Sequence, residues 1–215
     1  MSMSSISSLY SIAPPRQIGV CNWIGITALI QKEVGRFLNV YMQTIVAPVM
    51  TLMLFFVVFH LSSGAQSGNV NVGYTHMMFL GPGLLMMSMV QNAFANPSSS
   101  LIIAKVQGNI VDILMPPLSP WELLTGMMVG AVLRAVLIGI LGFAMLNFMV
   151  PLHIVAPLTV FSFMILGNIM LASLGVMAGL WAEKFDHMAT VTNFIVTPLT
   201  FLSGTFYALS ALPPF

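Results

Sequence analysis

The groups that could do chemistry are few: four histidines, one cysteine, six Lys/Arg and five Asp/Glu in 215 residues. A zinc hydrolase needs His-Glu-x-x-His, which sets two imidazoles and a general base on one helix face. His60, His76, His153 and His187 are instead followed by Leu, Met, Ile and Met. A phosphate-cradling loop ends in Gly-Lys so that backbone amides and an ammonium meet the anion, and no Gly-Lys pair occurs. A serine nucleophile on a sharp elbow needs Gly-x-Ser-x-Gly, and no glycine is followed two residues later by serine. Cys21 has no second cysteine to pair with and no CxxC context; it reads as structurally incidental. Enzymatic chemistry has no foothold, and no cofactor is implied.

The charges matter more by where they are missing. From Phe37 to Ala104 the chain runs 68 residues without Asp, Glu, Lys or Arg, and 135–182 and 187–215 are likewise free of them. Only 5% of residues are charged, 58% are hydrophobic and the mean hydropathy is +0.99, against about 25% charged in a soluble domain. This is the composition of an all-α, polytopic membrane protein. A net charge of +1 with no Lys/Arg cluster excludes the basic stripe of a nucleic-acid binder. No carboxylate falls inside a predicted span, so an ion-coupled transporter would lack its titratable group, and the histidines read as interfacial anchors. Arg134 is the one ionised side chain well inside a span. It is either a functional intramembrane group, costly to bury unless partnered, or a residue carried toward the headgroups by a protruding helix.

The elements that position these groups follow from periodicity. Residues 1–22 read as a cytoplasmic tail without the features of a secretory signal, and 23–215 as one membrane domain. Trp23, Ile26, Ile30, Val34, Phe37 and Tyr41 recur at helical spacing with Gln31, Lys32, Glu33 and Arg36 on other faces, predicting an amphipathic interfacial helix or the frayed start of the first span. Five spans are expected, at about 40–61, 74–94, 121–149, 158–181 and 189–207. Pro48 is tolerated in the first, a polar hairpin over Ser62 to Gly73 follows it, and Gly81-Pro82-Gly83 should kink or unwind the second. Asn96-Pro97 should end that span. Leu101 to Leu114 then alternates Ile103, Val106, Ile110, Ile113 and Leu114 with Lys105, Gln107, Asn109 and Asp112, predicting a short amphipathic helix outside the bilayer core.

Ser119-Pro120-Trp121-Glu122 is a helix start with an N-cap, a first-turn proline and a capping box. A helix from there to Met149 is about 45 Å long, so its first turns protrude or tilt. Pro151 to Pro157 makes a turn, and Glu183-Lys184-Phe185-Asp186-His187 a compact charged loop. Gly126-x-x-x-Gly130 and Gly175-x-x-x-Gly179 permit close helix contacts. With the amino terminus inside, the inner segments hold Arg16, Lys32, Arg36, Lys105 and Lys184 and the outer loops hold no Lys or Arg, a positive-inside arrangement.

The segments Gln107-Gly108-Asn109-Ile110-Val111-Asp112-Ile113-Leu114, Pro116-Pro117-Leu118-Ser119-Pro120-Trp121-Glu122-Leu123-Leu124 and Leu202-Ser203-Gly204-Thr205-Phe206-Tyr207, in this order of spans and loops, resemble the membrane permease subunit of type 2 ATP-binding-cassette exporters, the ABC-2 family. The similarity covers roughly Ile30 to Phe215. It implies a non-enzymatic permease of the bacterial inner membrane with its amino terminus cytoplasmic, forming the path for an amphiphilic, polysaccharide, lipid-linked or drug-like substrate. It implies a permease homodimer in the bilayer, driven by a separate ATPase subunit. Lys105, Gln107, Gly108, Asn109 and Asp112 would belong to the helix that couples to that ATPase, and Glu183, Lys184 and Asp186 to a smaller second contact. The family has six spans, so a further apolar stretch is expected beyond Phe215, and the chain reads as carboxyl-terminally shortened. Two alternatives stand beside this reading: a secondary transporter or channel, and a non-transporting scaffold left by truncation.

Overall fold

The computed structural model describes residues 21–67, 70–152 and 156–203, with side chains throughout except in 63–67 and 70–77. The described residues form helices and their connections, with no strand among them. We number the α-helices α1 (Trp23–Asn39), α2 (Ala47–Ser67), α3 (Val70–Val106), α4 (Ile110–Leu114), α5 (Pro120–Met149), α6 (Pro157–Trp181), α7 (Phe185–Val191) and α8 (Thr197–Leu202). The all-α membrane architecture expected from composition is the one observed. Its surface is apolar and its interior rich in small residues: Phe148, Leu158 and Phe163 face outward, while Gly126, Gly130, Ala131, Ala135, Gly139 and Gly142 line the inner face of α5. In water this arrangement would be unstable. In lipid it is the favoured one, because helices gain by close backbone approach rather than by hiding leucine.

Two glycine pairs show that approach directly. A Cβ placed on Gly126 would lie 2.6 Å from Leu29 Cδ2 and one on Gly130 2.8 Å from Glu33 Cβ, so α1 seats against α5. A Cβ on Gly175 would run into the backbone carbonyl of Phe94, and one on Gly179 would come within 3.0 Å of Leu101 and 3.1 Å of Ser98 Cα, so α3 and α6 pack backbone on backbone.

Among the described residues four helices are long and apolar enough to cross a membrane, over Met42–Ser62, Met78–Val106, Pro120–Met149 and Pro157–Trp181, rather than the five expected. The fifth expected span, 189–207, is helical through α7, a π turn at Thr192–Val196 and α8. The described helical run, Phe185 to Leu202, begins ahead of that span with Asp186 and His187 in its first turn and is not among those four, and the rest, with the Leu202-to-Tyr207 motif beyond Ser203, lies outside the described residues. So do Arg16, His153 and all but the last two residues of the expected amino-terminal tail. The expected hairpin after the first span is shorter than read, since α2 continues to Ser67 and α3 begins at Val70.

Prolines do less damage than local rules predict. α3 passes through Gly81-Pro82-Gly83 and again through Asn96-Pro97 without unwinding. Proline removes one donor and crowds the carbonyl four residues back, while carbonyls close to that one gain side-chain donors: Ser98 Oγ donates to Phe94 O (2.8 Å), Ser99 Oγ to Asn96 O (3.0 Å) and Arg36 Nη2 to Asn96 O (2.8 Å). Hence the second span does not stop at Asn96, and the helix expected over Leu101 to Leu114 is divided: its first half is the end of α3, and its second half is α4. Gly108, at φ 77°, makes the break between them, a conformation glycine adopts without steric cost. Pro48 and Pro198 each follow a π turn, at Met42–Val46 and Thr192–Val196, where the widened backbone gives the ring room.

Candidate functional site: a charged end and a buried polar core

One end of the bundle gathers the loops that carry charge. Asn22 caps α1, its Oδ1 accepting from Gly25 N at 3.0 Å, and its Nδ2 donates to Pro117 O at 3.2 Å. The capping box forms as read: Ser119 Oγ accepts from Glu122 N (3.3 Å) and Glu122 Oε2 from Ser119 N (2.7 Å), while Glu122 Oε1 also accepts from Asn22 N. The start of α5 and the start of α1 are thereby tied together. Burial chiefly, and then the Glu122 carboxylate beside it, push the Cys21 thiol up. Asn22 escaped sequence reading, although an Asn directly before Trp23 and an apolar-periodic run is an N-cap signal.

Lys105 joins the two charged segments. Its ammonium donates to Leu180 O and, at 2.9 Å, to Ala182 O, satisfying carbonyls at the carboxyl end of α6 where a cation is favoured by the helix dipole. Gln107, Gly108, Asn109, Asp112, Glu183, Lys184 and Asp186 are exposed, and Lys105 brings the segments that carry them together. Val106, Val111, Leu114 and Phe185 are exposed among them. The expected charged loop is a shorter connection than read, since α7 takes up Phe185 onward, and His187 lies against Trp181 with ring centroids 5.4 Å apart.

The helix α1 corrects the sequence reading in a different way. Its buried face is Ile26, Leu29, Glu33 and Phe37, whereas Trp23 and Tyr41 are exposed. Of the three charges assigned to the polar side, only Lys32 is exposed; Glu33 is 1% exposed and Arg36 is half-buried. The reason is a set of partners 60 and more residues away on α3. Arg36 Nη2 and Nε meet Glu33 Oε2 at 3.1 and 3.4 Å, Arg36 Nη2 also donates to Asn96 Oδ1 at 2.9 Å and Nη1 to Ser99 Oγ at 3.3 Å. Ser100 Oγ donates to Glu33 Oε1 at 2.6 Å. A carboxylate can be buried when paired and hydrogen-bonded on both oxygens.

Arg134 lies one turn further into the bundle. It is 7% exposed, its Nη2 donating to Asn92 Oδ1 at 2.8 Å; it does not snorkel outward. Asn92 and Asn96 are one turn apart on α3 and receive Arg134 and Arg36 respectively, so four polar residues from three helices form a ladder through the core. On the far side from the charged end, α3, α5 and α6 border an open apolar cavity of about 700 Å³, lined by Met78, Met86, Met89 and Met164 together with Phe143 and Phe163. Flexible thioethers adapt to varied apolar shapes. No group of three or more metal-ligating side chains occurs among the described residues.

Comparison with known proteins adds to this geometry. The family model described as ABC-2 type transporter matches residues 25–215. The chain is 37% identical over 193 residues to the inner membrane transport permease YadH of Escherichia coli strain K12, covering 90% of this chain and 75% of that one. The proteins of the same name from Escherichia coli O157:H7 and Shigella flexneri match to the same extent. No solved structure matches the chain.

Proposed function

The chain belongs to the ABC-2 type transporter family and is a membrane permease; on that premise we propose that it forms the translocation path of an ATP-driven exporter in a bacterial inner membrane, as a homodimer served by a separate ATPase subunit. The observation that carries this reading is the joining of the 105–114 and 183–187 segments through Lys105 on one exposed surface. Val106, Val111, Leu114 and Phe185 interleaved with Gln107, Asn109, Asp112, Glu183 and Lys184 suit an apolar-cored, polar-rimmed protein interface. Lys32, Arg36, Lys105 and Lys184 all belong to the half of the bundle that this reading makes cytoplasmic, in line with the positive-inside rule. The path would carry an amphiphilic, polysaccharide, lipid-linked or drug-like substrate, which the methionine-lined cavity of about 700 Å³ can accommodate.

The test is copurification with the ATPase encoded beside the permease, using Asp112→Lys and Ile110→Pro. Both variants should insert in the membrane as the parent does and lose ATPase retention or substrate-stimulated hydrolysis. Normal retention and normal transport in both would make the segment an ordinary loop.

A further inference from the structure

Two guanidinium groups enter the polar core of this bundle and one carboxylate accompanies them. Glu33 is committed to Arg36 and Ser100. Among the described residues no carboxylate pairs with Arg134; of its donors Nη2 bonds Asn92 Oδ1, and its buried Nε has no partner. Asn92 Nδ2 donates to Ser88 O at 2.9 Å, which fixes the amide with its oxygen toward the guanidinium. A lone cation held at this depth is expensive. Arg134 is 14 residues along α5 from Pro120, about 21 Å of helix, so its place in the bundle is interior by length as well as by burial.

Beside Arg134 lies a cavity of about 350 Å³ between α2 and α3, lined on its polar side by Gln43, Thr51, Ser88, Gln91 and Asn92 as well as Arg134 itself. Phe55 and Met87 continue the lining as an apolar wall. A planar fork of N–H donors among amides and hydroxyls matches the oxygen geometry of phosphate or carboxylate. The apolar wall matches an acyl or alkyl chain.

We propose that this cavity is a binding site for the anionic head, phosphate or carboxylate, of a single amphiphile, with Arg134 as the charge that receives it and Gln43 and Thr51 at its mouth. The head supplies the negative charge the core lacks, and the tail lies along Phe55 and Met87. The inference deepens the proposed function by naming a chemical class of ligand for the path, but it concerns binding to the permease alone. Failure of ATPase coupling and failure of this site are therefore separate results.

The experiment is native mass spectrometry of the full chain in neutral detergent, titrated with dodecyl phosphate and, in parallel, with dodecyltrimethylammonium. Dodecyl phosphate should bind one to one and at least about tenfold more tightly than the cation, and Arg134→Gln should weaken it about tenfold or more, with Arg134→Lys between. Gln43→Leu with Thr51→Val, which leaves the buried core intact, should weaken it by about threefold. Phosphatidylglycerol carried through purification by the parent and lost from Arg134→Gln would identify the ligand as a resident lipid; dodecyl phosphate binding without carried lipid would identify the site as open to a passing amphiphile. Either result supports the site. No preference for the anion over the cation, or unchanged affinity in whichever of the Arg134→Gln and mouth variants folds, overturns it.

Discussion

Replacing Glu33 by glutamine removes one negative charge and almost no volume, from a position that is 1% exposed. The amide can still accept from Ser100 Oγ, now at 2.6 Å from Glu33 Oε1, but Arg36 loses its 3.1 Å counter-ion. Breaking a fully buried pair costs about 3–5 kcal/mol. Arg36 is 24% exposed and keeps Asn96 O, Asn96 Oδ1 and Ser99 Oγ, so the expected loss falls below that range, at about 2–3 kcal/mol. At about 2–4 °C per kcal/mol for a chain of this size, the unfolding midpoint in detergent should fall by about 5–10 °C. Tryptophan fluorescence reports it well, since Trp23 is on α1 and Trp121 on the α5 against which α1 seats. Adding Arg36→Gln completes a double-mutant cycle, whose coupling should be about 1.5–3 kcal/mol. A coupling below about 0.5 kcal/mol would equate the pair with a solvated surface ion pair and refute the claim that α1 is held through a buried charge.

Two further outcomes rest on other parts of the chain. Gly175→Ala should cost about 1–3 kcal/mol, because the new methyl meets the unyielding Phe94 carbonyl. Gly35→Ala, with nothing within 4 Å of the added atom, should stabilise by about 0.5–1 kcal/mol; equal effects in thermal melts would contradict the packing described. Alkylation of Cys21 by iodoacetamide should titrate above the free-thiol value of about 8.5, since a raised thiol pKa leaves less thiolate at any given pH. Glu122→Gln should move that titration down only partway, burial being the larger cause; an unmoved curve would dissociate Cys21 from the cap.

Periodicity and composition carried the helical class, the capping box at Ser119 and both small-residue pairs, because each depends on residues within a few positions of one another. What they could not carry depends on distant partners. Whether Glu33 faces solvent or core is decided by Arg36, Asn96 and Ser100, and only the first of these is near it in sequence. The helix through Pro97 carries side-chain hydrogen bonds from the same Arg36, 60 residues away, as well as from its own serines. The residues at the charged end were individually legible, but Lys105 reaching the end of α6 is a contact across 75 residues, beyond any local pattern. The orientation of Arg134, left open by sequence, was settled by Asn92 on another helix.

The 37 residues of α3 make a rod about 55 Å long, and it meets α6 where Gly175 and Gly179 let the Phe94 carbonyl and Ser98 Cα come directly against the α6 backbone. A joint packed this closely leaves little room to absorb small displacements by rotamer change. With Lys105 clamping the ends of the rods together, a force applied at the charged end moves α3 and α6 as one stiff lever. The far arm of that lever carries Asn92, and with it one wall of the cavity beside Arg134. A stroke of an ångström or two at one end would thus reach the membrane interior nearly undiminished, altering the grip on an anion without any bond in either helix being broken.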